Sequence, residues 1–218
     1  MIVAIDGPAG AGKSSAARAL ARRLGFRFLD TGAMYRAVAL AGLRRGHDWT
    51  QPEALAELAR RLKIEVDERR VLLDGEDVTD AIRTSEVTSF THYAANNAAV
   101  REHLVALQRQ IAGSDDVVAE GRDQGTVAFP DAECKIFLTA TPAERARRRL
   151  LDLEKRGEAA TFEEVLAQQN LRDERDANRE VGALKAAPDA IQFITDGLSP
   201  EKVVDRLEEL VRSVRSKP

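Results

Sequence analysis

The chain has 218 residues and a formal net charge of −3, with 33 lysine and arginine residues against 36 acidic ones. This balance disfavours a long polyanion such as nucleic acid as the main partner. With 44% hydrophobic residues, no apolar run long enough to cross a bilayer and no export-like start, we expect a globular cytoplasmic protein. Cys134 is the only cysteine, which excludes an internal disulfide framework and a thiolate metal cluster. The three histidines, His47, His92 and His103, are not expected to form a metal site.

Short apolar or β-branched runs alternate with longer helical patterns. The runs are Ile2 to Ile5, Phe26 to Leu29, Val117 to Ala119, Lys135 to Leu138 and Ala190 to Ile194. Because strands that alternate with helices of this length form βαβ units, the sequence predicts an α/β fold whose parallel sheet is covered on both faces.

A phosphate-binding loop follows the first strand. The stretch GPAGAGKSS matches G-x-x-x-x-G-K-[ST], and an amphipathic helical pattern continues from it to Gly25. Converging backbone N–H groups and the positive end of the helix dipole favour a nucleoside triphosphate here, with Lys13 at the β- and γ-phosphates. Ser14 is expected on the Mg²⁺ side, directly or through water. The alternative is a turn that only lets the helix pack closely on the sheet. The predicted ATP-binding residues of the loop are Gly7, Pro8, Ala9, Gly10, Ala11, Gly12, Lys13, Ser14 and Ser15.

The second strand leads into LDTGAMYRA. Asp30 and Thr31 are expected to end the strand and Gly32 to turn the chain. Tyr35 and Arg36 are then expected on the first turn of the next helix. Ligands of open α/β sheets gather at the carboxyl ends of strands, which favours a phosphate contact from the arginine. If the tyrosine is core and the arginine is solvated surface, the segment carries no site.

The region between Gly46 and about Arg101 interrupts the alternation. A short helix is predicted from Pro52 to Leu62. The segment LKIEVDERRVLLDGEDV then predicts small antiparallel strands with a polar turn around Asp67 to Arg70. We interpret this region as a unit inserted into the core.

The third strand ends in VVAEGRDQGTV. This places Arg122 and Asp123 between two glycines at the functional edge of the sheet. The cation suits a phosphate, and the anion suits a hydroxyl or an exocyclic amine.

Two arginine-rich segments follow, RARRR and NLRDERDANRE. Thr161 and Glu164 predict a capping box at the start of the second helix. The spacing of the second segment predicts a single helical face carrying Arg172, Arg175, Asp176 and Arg179. With Arg145, Arg148 and Arg149 upstream, the two helices are expected to form a mobile cover that closes over phosphates. A solvated helix with local ion pairs is the alternative.

Five motifs occur in one order: IDGPAGAGKSS, LDTGAMYRA, IRTSEV, EGRDQGTVAFPDAECKIFL and RDERDANR. Together they resemble the bacterial cytidylate kinases across essentially the whole chain, and GRDxGTVxFPDA with the inserted strands is the most distinctive part. The resemblance implies a P-loop three-layer αβα fold of the nucleoside monophosphate kinases, with a five-stranded parallel sheet. It divides the chain into a core at 1–45 and 94–218, an NMP-binding insert at 46–93 and a helical lid at about 145–182.

The resemblance also implies a reaction and a site. The reaction is Mg²⁺-dependent transfer of the γ-phosphoryl group of ATP to CMP or dCMP by a monomer, giving ADP and CDP or dCDP. Implied catalytic residues are Lys13, Arg122, Arg172 and Arg179, and Arg148 and Arg149 match the lid segment that approaches ATP. Implied CMP-binding residues are Thr31, Tyr35, Arg36, Arg122 and Arg179 at the phosphate, Arg101 and Asp123 at the cytosine edge, and Asp176 with Arg172 at the pentose. His92 stands where a small hydroxyl residue would help to recognise the base, and Gln124 replaces an apolar residue.

Two other functions share some of these features. Another small-molecule P-loop kinase, with shikimate or dephospho-coenzyme A as acceptor, would need its own acceptor motif in place of GRD. A nucleotide-binding switch or nucleic-acid-associated ATPase would modify no small acceptor, and the net charge and lack of aromatic stacking platforms disfavour it.

Overall fold

The structure is a computed structural model that describes residues 1–155 and 157–215. Its elements in chain order are β1 (Ile2–Asp6), α1 (Lys13–Leu24), β2 (Arg27–Asp30), α2 (Thr31–Arg44), α3 (Pro52–Arg61), β3 (Ile64–Val66), β4 (Val71–Leu73), β5 (Glu76–Asp77), a 3₁₀ turn (Ala81–Arg83), α4 (Ser85–Asn96), α5 (Ala98–Ala112), β6 (Val117–Glu120), a π-helical turn (Gln124–Ala128), β7 (Cys134–Thr139), α6 (Pro142–Lys155), α7 (Phe162–Ala177), β8 (Ile191–Ile194) and α8 (Pro200–Arg215). None of the helices in the described ranges combines the length and apolar character of a membrane span.

Five parallel strands form the central sheet in the order β2-β6-β1-β7-β8, which confirms the predicted fold class. From β1 the chain passes to β2 at one edge of the sheet, returns to β6 beside β1, and then crosses to β7 and β8 on the other side of β1. The carboxyl end of β1 is therefore a switch point, where open α/β sheets bind their ligands.

The sheet is buried on both faces because successive side chains of each strand point in opposite directions. Val3 and Ile5 pack with α1 and α8, whereas Ala4 between them packs with the core formed by α2 to α5. This is why the parallel strands appear in the sequence as continuous apolar runs.

The predicted antiparallel unit is confirmed as a separate three-stranded sheet in the order β3-β4-β5. Its polar turn is held by Asp67, whose Oδ1 accepts hydrogen bonds from the backbone N–H groups of Arg69 and Arg70, each at 2.7 Å. Apolar side chains such as Ile64 and Leu73 pack in the same core as α2. The boundaries of the insert at 46 and 93 stay a prediction.

Several helix ends follow the sequence signals. The capping box of α7 is present, since Thr161 Oγ1 accepts from Glu164 N at 3.3 Å and Glu164 Oε2 accepts from Thr161 N at 2.8 Å. Helix α1 ends at Gly25 in the left-handed conformation, with φ 71°.

Two predicted local structures are wrong. Helix α2 begins at Thr31, because Asp30 caps it by accepting from Ala33 N at 3.0 Å, so Gly32 is helical and Tyr35 and Arg36 lie in the second turn. Helix α7 ends at Ala177, so the four residues predicted to share one helical face do not all lie on the helix. Arg179 lies beyond the helix end, and Arg175 is exposed.

Candidate active site

The glycine loop closes tightly around Lys13. Gly7 adopts φ 148°, and a Cβ atom there would overlap the carbonyl oxygen of Leu138, so glycine is required at this position. Lys13 Nζ donates to Pro8 O at 2.8 Å, which curls the side chain back over the loop. Burial, reinforced by the nearby guanidinium of Arg122, lowers the pKa of Lys13 to about 7.

Ser14 lies beside a carboxylate that the sequence analysis missed. Its Oγ donates to Glu120 Oε1 at 2.6 Å, and Glu120 is the last residue of β6. Thr31 Oγ1 donates to the backbone oxygen of Glu120 at 2.7 Å. Burial raises the pKa of the Glu120 carboxyl, and the nearby Asp30 raises it further. The position of Glu120, at the end of a strand and directly before GRD, was the available signal.

The hydroxyl and carboxylate oxygens of Ser14 and Glu120 fit Mg²⁺, which binds one or two carboxylates, substrate phosphates and waters. Among the described residues, no group of three or more His, Cys, Asp or Glu side chains could hold a metal ion. Ser14 and Glu120 therefore suit an ion whose remaining ligands come from a nucleotide and from water.

Asp176 joins two arginines that come from different parts of the chain. Its Oδ2 lies 3.0 Å from Arg122 Nε, and its Oδ1 lies 2.5 Å from Arg179 Nη2. Burial opposes the ionisation of Asp176, but Arg122, Arg179 and Arg172 together lower the pKa of the carboxyl. The segment Gly121 to Gly125, which carries Arg122 and Asp123 and is called the acceptor loop below, is thus in direct contact with the end of α7.

Arg101 and Asp123 form a buried ion pair, with side chains only 3% and 5% exposed. The Tyr35 ring lies 5.4 Å from Arg101 Cζ, and burial raises the pKa of Tyr35 to about 12. Gly182 covers the same guanidinium so closely that a Cβ atom there would overlap it. Arg101, Asp123 and Tyr35, which the sequence analysis assigns to CMP binding, therefore form one enclosed group.

Two more arginines complete a cluster of cations. Arg36 Nη1 donates to Thr88 Oγ1 of α4 at 2.7 Å, and burial lowers the pKa of Arg36. Burial, together with the charge of Arg122, lowers the pKa of Arg172 to about 10. The cluster comprises Lys13, Arg36, Arg122, Arg172 and Arg179. Its like charges disfavour one another, so an anion placed among them would be stabilised.

The arginines of RARRR differ in their contacts. Arg145 is buried, and its guanidinium is already bound to protein oxygens. It donates to the backbone oxygens of Ala9 and Ala140 at 3.0 Å and pairs with Asp173 Oδ2 at 2.7 Å. Arg148 binds Thr195 O at 3.0 Å. Arg149 is half-buried and has no hydrogen bond or ion pair within residues 1–155 and 157–215.

His92 lies on the exposed side of α4. Its Nδ1 is 2.7 Å from Ser89 O, and its ring centroid is 4.1 Å from that of Tyr93. Its role in base recognition stays a prediction.

A parallel sheet with a glycine loop after β1 and a buried lysine in that loop defines a phosphate-binding-loop protein. Two solved structures share the fold. An uncharacterized protein from Eubacterium ventriosum matches with a TM-score of 0.52 at 13% identity, covering 100% of this chain and 99% of its own. TT1252 from Thermus thermophilus matches with a TM-score of 0.50 at 18% identity, covering 100% and 98%.

The family follows from sequence comparison. The cytidylate kinase family model matches residues 3–213. Cytidylate kinases from Rhodopirellula baltica and Desulfitobacterium hafniense are 52% and 50% identical to this chain, covering 97% and 95% of it and 93% and 91% of their own lengths. A bifunctional pantoate ligase/cytidylate kinase from Synechococcus is 50% identical over 97% of this chain, which spans 44% of that protein. The chain belongs to the cytidylate kinase family.

Proposed function

We propose that this protein transfers the γ-phosphoryl group of ATP to CMP or dCMP, with Mg²⁺, giving ADP and CDP or dCDP. The observation that carries the proposal is the family membership over almost the whole chain. The convergence of the glycine loop, the acceptor loop and the end of α7 on one cation cluster supports it.

The reaction requires neither a covalent intermediate nor a strong base, because the acceptor phosphate is already an anionic nucleophile at neutral pH. The barrier includes the mutual repulsion of two polyanions. Lys13, Arg122 and Arg172 would offset it by positioning the phosphates in line and by stabilising the charge of the transition state.

On the ATP side, the loop from Gly7 to Ser15 would bind the phosphates. Ser14 and Glu120 would hold Mg²⁺, which would supply positive charge to the phosphates. Arg145 and Arg148 are engaged by protein oxygens, so among Arg145, Arg148 and Arg149 we assign the ATP contact to Arg149.

On the CMP side, Arg36 and Arg179 would bind the acceptor phosphate, while Arg101 and Asp123 would recognise the cytosine edge. Asp176 would face the pentose from its position between two arginines. Thr31 is only 1% exposed and its hydroxyl is bonded to Glu120 O, which favours a role in shaping the site rather than in touching the phosphate.

A coupled assay of ADP release, run with each nucleoside monophosphate in turn, tests the proposal. We expect ATP consumption that depends on CMP or dCMP. Consumption that needs no acceptor, or that depends on shikimate or dephospho-coenzyme A, would contradict it. The cytoplasmic location, the monomeric state and the absence of a nucleic-acid partner stay predictions.

Replacing Asp123 with alanine should weaken CMP binding at least tenfold and change ATP binding by less than threefold. The reason is that Asp123 lies with Arg101 in the enclosed group, while Lys13 and the glycine loop remain intact. Isothermal titration with each nucleotide measures both affinities. Equal weakening of the two would argue against a base-reading role.

Binding of ATP should take up a proton through Lys13. In the free protein the pKa of Lys13 is lowered to about 7, so at about pH 8 the amine is largely neutral. Anionic phosphates favour the charged form, raise the pKa and draw in up to about one proton. Titration calorimetry of Mg-ATP in buffers of different ionisation enthalpy should show this uptake in the parent, and Lys13→Ala should abolish it. The same uptake in the variant would assign the proton to another group.

A further inference from the structure

Asp6, the last residue of β1, uses both of its carboxylate oxygens on one short segment of the acceptor loop. Oδ1 accepts from Gln124 N and Oδ2 accepts from Gly125 N, each at 2.8 Å, across a sequence separation of more than a hundred residues. The residue is only 4% exposed. Neither the glycine-loop pattern nor GRD includes it.

The acceptor loop is attached to β1 at both of its ends. At the near end, Gly121 N donates to Ile5 O at 3.0 Å, and at the far end the Asp6 carboxylate holds the next pair of amides. Arg122 and Asp123 lie between these two attachments. Hydrogen bonds to Ile5 and Asp6, two consecutive residues of β1, therefore fix the backbone on either side of Arg122 and Asp123.

Burying a carboxylate lowers the stability of the folded protein unless its oxygens accept hydrogen bonds. Burial raises the pKa of Asp6 to about 6, while the amides of Gly125 and Gln124 oppose that rise. If Asp6 is removed, two buried N–H groups lose their acceptors, and an unpaired buried donor destabilises the conformation that holds it.

We propose that Asp6 is a positioning residue that fixes the loop carrying Arg122 and Asp123 relative to the glycine loop and thereby sets selectivity for the pyrimidine base. This rests on the proposed function. The glycine loop begins at the next residue, Gly7. The end of β1 therefore continues directly into the glycine loop and also binds the acceptor loop through hydrogen bonds.

The test is Asp6→Asn, which keeps the shape of the side chain and one acceptor oxygen. Its NH₂ group faces an amide N–H, so one of the two bonds at the far end of the loop is lost. We expect kcat/KM for CMP to fall at least 30-fold and the CMP-to-UMP ratio of kcat/KM to fall at least fivefold. The Kd of ATP should change less than threefold, since the glycine loop itself is unaltered.

Asp67→Asn is the matched control. Asp67 also accepts hydrogen bonds from two consecutive backbone amides, but on the exposed turn between β3 and β4. This variant should leave all three quantities unchanged. Both bonds go to Asp67 Oδ1, an acceptor that Asp67→Asn keeps, so this control reports the effect of losing a carboxylate charge beside two amides without losing a hydrogen bond.

An unchanged CMP-to-UMP ratio in Asp6→Asn, or an equal loss of ATP and CMP affinity, would overturn the role of Asp6. Absence of CMP-dependent ATP consumption in the parent would instead overturn the proposed function, and the inference with it. If the variant does not fold, NMR of the parent decides. The amides of Gln124 and Gly125 should show scalar coupling to the Asp6 carboxyl carbon and should shift when CMP binds. Lack of either signal would overturn the proposal.

Discussion

Replacing Lys13 with alanine should lower kcat by about 10²–10³-fold, the loss found when one donor to a transition-state anion is removed, about 2.7–4 kcal/mol. The amine is buried in the glycine loop and interacts with the charges of Arg122 and Arg172. In the proposed reaction, the donor and acceptor phosphates would meet at this amine. Steady-state rates at saturating ATP and CMP, together with a thermal melt to verify folding, measure the effect.

Lys202→Ala provides the control, because Lys202 is exposed on α8. It should retain the turnover of the parent. A Lys13→Ala enzyme that stays within tenfold of the parent would show that the lysine does not stabilise the transition state.

Replacing Arg122 with alanine should reduce kcat/KM for CMP by about 10²-fold or more, since a charged hydrogen-bond donor at the reacting groups is lost. Burial and then the charge of Arg122 lower the pKa of Lys13 and Arg172, and Arg122 also contributes to the lowered pKa of Arg36, so its guanidinium lies among the cations to which we assign the two phosphates. Its loss would also remove one of the partners of Asp176. Both kcat and KM for CMP should therefore change.

Arg175→Ala is the corresponding control from the arginine-rich segment of α7. The spacing in the sequence places Arg175 with the other arginines, but its side chain is exposed. We expect activity within twofold of the parent. A loss as large as that of Arg122→Ala would mean that exposure in the free protein does not identify the arginines that act in the complex.

The parts of the site that the sequence predicts well are those encoded by contiguous residues. The glycine loop needs Gly7 because the chain passes against Leu138 O, and it needs Lys13 within the same short stretch, so a local pattern is sufficient. The alternation of strands and helices is likewise local, as is the polar turn at Asp67.

The parts that the sequence does not predict depend on distant contacts. Asp6 and Glu120 are ordinary acidic residues at strand ends, and their contacts with the acceptor loop and with Ser14 appear only when β1 and β6 pair side by side. Arg145 is indistinguishable in the sequence from its neighbours in RARRR, although its contacts with Ala9 O and Asp173 hold α6 against the glycine loop and α7.

The end of α7 was mispredicted for a different reason. Helical spacing continues past Ala177 in the sequence, and Asn178 ends the helix without a glycine directly after it. Arg179 returns to the site because its guanidinium binds Asp176 and Gly182 O. Local contacts, the i,i+3 ion pair with Asp176 and the bond to Gly182 O, therefore hold Arg179 at the site in place of the continuous helical face that the spacing predicts. The start of α2 was recognisable, since an aspartate such as Asp30 is a favoured N-cap.

The proposed reaction requires lysine and arginine side chains to converge on one place that receives both phosphates. The most direct measurement is a crystal structure with a non-hydrolysable ATP analogue, Mg²⁺ and CMP. We expect the γ-phosphate and the CMP phosphate to share Lys13, Arg122 and Arg172 within about 4 Å, the usual limit of an ion pair. A CMP phosphate bound on another surface, with these three side chains not shared between the two nucleotides, would contradict it.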